Sequence, residues 1–261
     1  MSDIPTPAPS ATILMLRDGP KGIETFMVVR HHQIDFASGA LVFPGGKLDP
    51  GDYNVRSLCD GVDHASDTEL AMMAGAIREA FEECGILLAR DEGSPHLVDG
   101  KRLQTLEHYR DPLSRGDLDL AEFLQKENLR LACDELHHFA HWITPEMLPK
   151  RFDTHFYLAR APIDHIAVHD GHESVDSVWI TAEDAIIGND DGTYTIIYPT
   201  RVNVELLGES PTTEAAIIDA ANREIVSVLP WAEKREDGNY ICIPEDAGYK
   251  STSEKMQGPP A

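Results

Sequence analysis

Aliphatic and β-branched residues gather in short runs at 11–16 and 25–30, separated by Asp18-Gly19-Pro20-Lys21-Gly22. Runs of that length around a Gly/Pro turn predict two strands. A polar stretch follows, and residues 40–43 predict a short return strand. The period then lengthens. Leu70, Met73, Ala74, Ile77, Phe81 and Cys84 recur at helical spacing, the mark of a stripe facing a core. Gly85 is placed to stop that helix in a left-handed turn. Further along, 86–89 predicts a strand, and 101–109 and 118–129 predict two helices broken at Asp111-Pro112-Leu113. Residues 136–143 predict a strand, 149–159 a loop entering a strand, and 165–179 a loop leading into another. Thr181, with Asp184 three residues on, predicts a capped helix to about 187. Helices are predicted over 199–207 and 212–221, and a terminal strand pair over 225–229 and 240–243.

The other face of the first helix carries the chemistry. Glu79, Glu82 and Glu83 fall at i, i+3 and i+4, so three carboxylates share one face near the helix C-terminus. The helix dipole is already negative there, and like charges at this spacing are destabilising. A solvated acidic face would be the plain explanation. The neighbours argue otherwise, because Ala71, Gly75 and Ala76 on that side allow another backbone to come close. A glycine inside a helix costs about 1 kcal/mol against alanine, which suggests a packing reason. Oxygen ligands gathered in this way suit Mg2+ or Mn2+, which take carboxylates together with substrate phosphates. The strand histidines His137, His138 and His141 do not read as a zinc site. Alternation pairs His137 with His141 and offers no third ligand.

Charge narrows the function further. The 261-residue chain carries a net charge of −23, which argues against nucleic acid and anionic membrane as partners. No run approaches a membrane span. Four cysteines lie far apart with no CxxC, the usage of a reduced, cytoplasmic protein. Residues 1–10 are Pro/Ser-rich and predict a disordered tail rather than a signal peptide. Residues 245–261 predict a loose end, leaving 11–244 as one domain.

Phe43-Pro44-Gly45-Gly46-Lys47-Leu48-Asp49-Pro50-Gly51-Asp52, followed by Arg78-Glu79-Ala80-Phe81-Glu82-Glu83-Cys84-Gly85-Ile86, resembles the Nudix box, Gly-x5-Glu-x7-Arg-Glu-U-x-Glu-Glu-x-Gly-U with U aliphatic. The second half matches at every fixed position. The first half departs twice: Asp52 replaces Glu, and Asp52 and Arg78 are 26 positions apart instead of eight, an insertion of 18 residues. The inserted stretch, about 53–68, reads either as a surface excursion or as a short helix over the site mouth.

The resemblance implies the Nudix α/β/α sandwich, a mixed sheet between helices, here with the insertion and a helical elaboration at about 100–130. It implies metal-dependent hydrolysis of a nucleoside diphosphate derivative. Glu79, Glu82 and Glu83, with Gly46, would hold the ion, and Arg78 would orient a glutamate. Glu173 corresponds by position to an additional catalytic glutamate in several members. Arg30, Phe36 and Arg151 are the candidate substrate contacts. A small-molecule diphosphate is the implied partner, and a homodimer is compatible with the family. The run from Arg30 to Asp49, the insertion and Arg151-Phe152-Asp153-Thr154 resemble the peroxisomal-type acyl-coenzyme A diphosphatases and their bacterial relatives. Coenzyme A or acyl-CoA is thus the leading substrate, with ADP-ribose or a nucleotide sugar as the alternative. A non-catalytic Nudix-fold binding module is the alternative of another class, and the complete carboxylate set speaks against it.

Overall fold

The computed structural model describes residues 4–30, 39–167, 169–171 and 174–256. Its central element is a mixed sheet. The predicted strand pair appears as β1 (Ala8–Gly19) and β2 (Gly22–Arg30), antiparallel, with β3 (Leu41–Val42) on β2 and β4 (Gly45–Lys47) on β1. β5 (Cys59–Asp60), α1 (Asp67–Cys84), β6 (Ala89–Asp91), α2 (Gly100–Leu106), α3 (Arg110–Ser114), α4 (Leu120–Glu127) and β7 (Leu129–Ala132) follow. Next come β8 (His137–Ile143), β9 (Phe152–Arg160), β10 (Ser174–Thr181), α5 (Ala182–Asp190), α6 (Tyr198–Leu207) and α7 (Thr213–Asn222). The chain closes with β11 (Ser227–Val228), β12 (Trp231–Arg235), β13 (Gly238–Cys242) and β14 (Ser253–Lys255).

Among the described residues the main sheet runs β10-β2-β1-β9-β8-β11, with β1–β9 and β8–β11 parallel. Alternation along the strands separates two cores. Ala11, Ile13, Met15, Phe26 and Val28 pack toward α1 and the elaboration, whereas Leu14, Leu16, Met27 and Leu158 pack toward α5, α6 and α7. This is the expected α/β/α sandwich.

Several expectations are corrected. β1 begins at Ala8, inside the stretch read as a disordered tail, because Ala8 to Leu16 pair in parallel with β9. The C-terminal stretch adds β14 and the buried Tyr249, whose hydroxyl donates to Asn203 Oδ1 at 2.8 Å and accepts from Trp142 Nε1 at 2.8 Å. Residues 86–88 are buried outside any strand, with Ile86 N–H donating to Ala80 O at 3.2 Å and Leu88 O accepting from Ala132 N–H at 2.9 Å, and the strand there is Ala89–Asp91. Pro112 lies near the start of α3, where a missing N–H costs nothing, so it does not break the chain. β13 pairs with 231–235, not 225–229. The inserted stretch is neither excursion nor lid. Val55, Cys59 and Val62 belong to the α1-side core, and β5 joins β7 and β6 in a second sheet. Asp60 accepts from Arg130 Nε at 2.7 Å, fixing the insertion to the elaboration.

Candidate active site

The box helix is set by its ends. Ser66 and Glu69 form a capping box at the N-terminus of α1, and Gly85, at φ 68°, caps the other end. Arg110 Nε and Nη2 donate to the Glu82 carbonyl at 3.2 and 3.1 Å, placing a cation against the negative end of the dipole. The elaboration packs there too, with Phe123 stacked on Phe81 at 5.6 Å.

Gly75 has the packing reason inferred for it. A Cβ at that position would stand 2.6 Å from Leu48 Cδ2 and 3.0 Å from Asp52 Oδ2, so the glycine lets the loop 43–52 lie on the helix. The loop brings Asp52, fully buried, to Arg78. Arg78 Nε and Nη2 donate to the two Asp52 oxygens, both at 3.0 Å, while Nη1 donates to Glu79 at 2.9 Å and Glu82 at 3.2 Å. Asp52 therefore fills the place of the family glutamate across the insertion. Gly45 N–H donates to Glu83 Oε2 at 3.1 Å, and a Cβ on Gly46 would collide with Glu79 Oε1 at 2.4 Å. Four carboxylates, those of Asp52, Glu79, Glu82 and Glu83, thus converge on one loop and one guanidinium.

The electrostatics show an excess of negative charge. Burial works against a charged Arg78, but Glu79, Asp52 and Glu82 outweigh it and hold the guanidinium protonated. Burial pushes the Glu82 carboxyl up to about 8; Arg78 pulls the other way and Glu79 adds to the rise. Glu82 Oε1 is buried without a hydrogen-bond partner among the described residues. A buried carboxylate oxygen left unpaired beside further carboxylates fits a site for a divalent cation. Glu79, Glu82 and Glu83 would hold it, and Gly46 lies against Glu79.

A cleft of about 790 Å³ takes in this cluster. Arg78, Glu79, Glu82, Gly45 and Gly46 line it together with the cations Arg30, Lys47 and Lys150. Trp142, Met147, Leu148, Phe152, Tyr198 and Met256 add apolar surface to the lining. Arg30 lines the cleft, and its Nε is buried with no partner among the described residues. Arg151 does not. It is buried, its Nε donates to Thr144 O at 3.0 Å and its Nη1 to Pro5 O at 2.8 Å, so its donors hold backbone and it lines no part of the cleft. Phe36 and Glu173 lie outside the described residues. Sequence reasoning passed over Lys47, although it sits within the glycine loop, and Lys150, adjacent to the arginine that was chosen. Asp52 was aligned to the box without being assigned its clamp on Arg78.

The strand histidines are also rearranged. A bulge between His138 and Ala140 breaks the alternation, and His141 becomes the direct partner of His155 on β9. His138 then stacks on His155, which stacks on His141, with ring centroids 4.9 and 4.1 Å apart.

Residues 57–200 match the family model described as the NUDT19 Nudix domain. Two curated relatives are named acyl-coenzyme A diphosphatase NUDT19. The Xenopus laevis protein is 23% identical over 87% of this chain and 71% of its own length. The Homo sapiens protein is 28% identical over 59% of this chain and 49% of its own length. The crystal structure of a NUDIX hydrolase from Alicyclobacillus acidocaldarius superposes with a TM-score of 0.71 at 26% identity, covering 86% of this chain and 100% of that one. The family model spans more than half the chain: this chain belongs to the Nudix hydrolases, in the NUDT19 Nudix domain family.

Proposed function

We propose that this chain hydrolyses the diphosphate linkage of coenzyme A or an acyl-CoA in a reaction that depends on Mg2+ or Mn2+, giving 3′,5′-ADP and 4′-(acyl)phosphopantetheine. The observation that carries this reading is the composition of the cleft lining. It combines Glu79, Glu82 and Arg78 with the cations Arg30, Lys47 and Lys150 and with the apolar Trp142, Met147, Leu148 and Phe152. Coenzyme A esters call for the same combination, with a diphosphate, a further phosphate on the ribose and an apolar arm. A sugar would leave the apolar lining uncovered, which disfavours ADP-ribose and nucleotide sugars. Both named relatives support the same choice, although the chain covers only about half of the human protein.

When bound, a divalent cation would neutralise the diphosphate and lower the pKa of a coordinated water. The chain's own residues prepare the place. Arg78, anchored by Asp52, holds Glu79 and Glu82 together, and the Gly45 N–H orients Glu83. Arg30 offers a planar, bidentate donor set for phosphate. The four cysteines are free and buried, in keeping with a reducing, cytoplasmic setting. No helix among the described residues is long and apolar enough to cross a membrane.

The test is a panel of coenzyme A, acyl-CoA, ADP-ribose, NADH and sugar nucleotides, assayed with Mg2+, with Mn2+ and with chelator. Coenzyme A esters should lead in kcat/KM by at least ~10-fold, a difference of about 1.4 kcal/mol in transition-state binding. Chelator should abolish turnover. A preference for ADP-ribose would overturn the substrate, and chelator-resistant turnover would overturn the metal.

A further inference from the structure

On β9, Phe152, Thr154 and Phe156 line the cleft, so Asp153 and His155 project from the opposite face of the sheet. There they meet His141. The ligand atoms of His141, Asp153 and His155 all lie within 4.8 Å of one another, and all three residues are partly exposed. We propose that His141, Asp153 and His155 form a second metal site, for a late first-row divalent ion of the zinc class, on the face of the sheet opposite the cleft-lining residues of β9, the face that packs against α1.

Two features of the cluster resemble a prepared site. An ion among three atoms no more than 4.8 Å apart sits within about 2.8 Å of each, against about 2.1 Å in a formed zinc site, and rotation of the stacked His141 and His155 side chains is what closes it. The far nitrogens of both rings are engaged: His155 Nδ1 lies 3.1 Å from His138 Nε2, and His141 Nδ1 lies 2.6 Å from Ser227 Oγ. With Nδ1–H donating in each case, both Nε2 atoms present lone pairs, and the rings are held in orientation as ligating histidines usually are. Without an ion, the His141 Nε2–H donates to Asp153 Oδ1 at 2.5 Å. An ion taking that place requires the other tautomer: the His141 proton passes by way of solvent from Nε2 to Nδ1, which becomes the donor to Ser227, and the ring stays neutral with no net proton released. Two imidazoles and one carboxylate favour zinc and its neighbours over Mg2+, so the two sites select different ions. Asp153, with its side chain 39% exposed, leaves the ion a route in and room for a water as fourth ligand. The site joins β8 to β9, the strands whose connection supplies Pro145, Met147, Leu148 and Lys150 to the cleft wall.

The experiment uses the full chain, stripped of metal and then held in excess Mg2+ to saturate oxygen-ligand sites. Zn2+ binding is measured by competition with a chromophoric chelator, and Co2+ binding by its visible absorption. The expected result is one Zn2+ per chain and a Co2+ spectrum typical of low coordination. Affinity should fall by at least ~10-fold in both His155→Gln and Asp153→Asn, and should be unchanged in Glu82→Gln. Asp153 is partly exposed, so its variant keeps the test usable if His155→Gln does not fold. Failure of the unmodified chain to bind Zn2+ under Mg2+ overturns the site. So does binding that survives Asp153→Asn in the folded variant, or binding that is lost in Glu82→Gln.

Discussion

The Glu82 carboxyl offers a quantitative handle on the charge excess in the box. Burial raises its pKa in the folded chain from the ordinary 4.5 to about 8. The folded state therefore holds a proton that the unfolded state gives up. That costs nothing below pH 4.5, and the cost grows as pH rises toward 8. Each unit of separation is worth about 1.4 kcal/mol, so by pH 7.5 the metal-free chain gives up roughly 2–4 kcal/mol. Glu82→Gln removes the titration while keeping the side-chain shape. At pH 5 glutamine and protonated glutamate present the same neutral group, and the two proteins should be equally stable. At pH 7.5, with chelator, the variant should be the more stable by about 2–4 kcal/mol, or some 4–10 °C in Tm for a chain of this size. Urea denaturation from pH 5 to 8 reads the difference directly, and taking variant against parent cancels every other titrating group. With Mg2+ and substrate the order should reverse in activity, the variant losing at least ~100-fold in turnover. Parallel pH profiles, or a variant less stable at pH 7.5, would show that Glu82 is not held as a strained buried acid.

Three further outcomes follow from the packing. Gly75→Ala gains about 1 kcal/mol in helix propensity but must displace Leu48 and press on Asp52, a cost of roughly 1–3 kcal/mol; thermal denaturation should show a net loss, with Mg2+ affinity weakened. Replacing residues 54–66 by a Gly/Ser linker removes Val55, Cys59 and Val62 from the core and should cost several kcal/mol, so that near-native stability in urea would refute their structural role. Arg30→Ala should raise KM for coenzyme A with stability preserved, whereas Arg151→Ala, which removes a buried guanidinium and its bonds to the carbonyls of Thr144 and Pro5, should lower Tm and leave KM in the surviving folded protein close to normal.

The box helix was legible because each of its features has a local cause. The i, i+3, i+4 carboxylates, the apolar stripe, the small residues and the terminal glycine all follow from 3.6-residue geometry. The insertion was not legible, because Val55, Cys59 and Val62 follow no period and reach the core through short turns and a two-residue strand. Arg30 and Arg151 looked alike in sequence as strand-end cations. Only the fold shows that one faces the cleft while the other is used up on the carbonyls of Thr144 and Pro5. The arrangement of the histidines was not legible, because the bulge between His138 and Ala140 breaks the alternation and because Asp153 and His155 become neighbours of His141 only by strand pairing.

The central claim concerns which bond is broken. An acyl-CoA incubated with this chain and Mg2+, then resolved by mass, should yield 3′,5′-ADP and the intact 4′-acylphosphopantetheine in equal amounts. An uncleaved substrate, or free coenzyme A with a carboxylic acid from thioester cleavage, would contradict it.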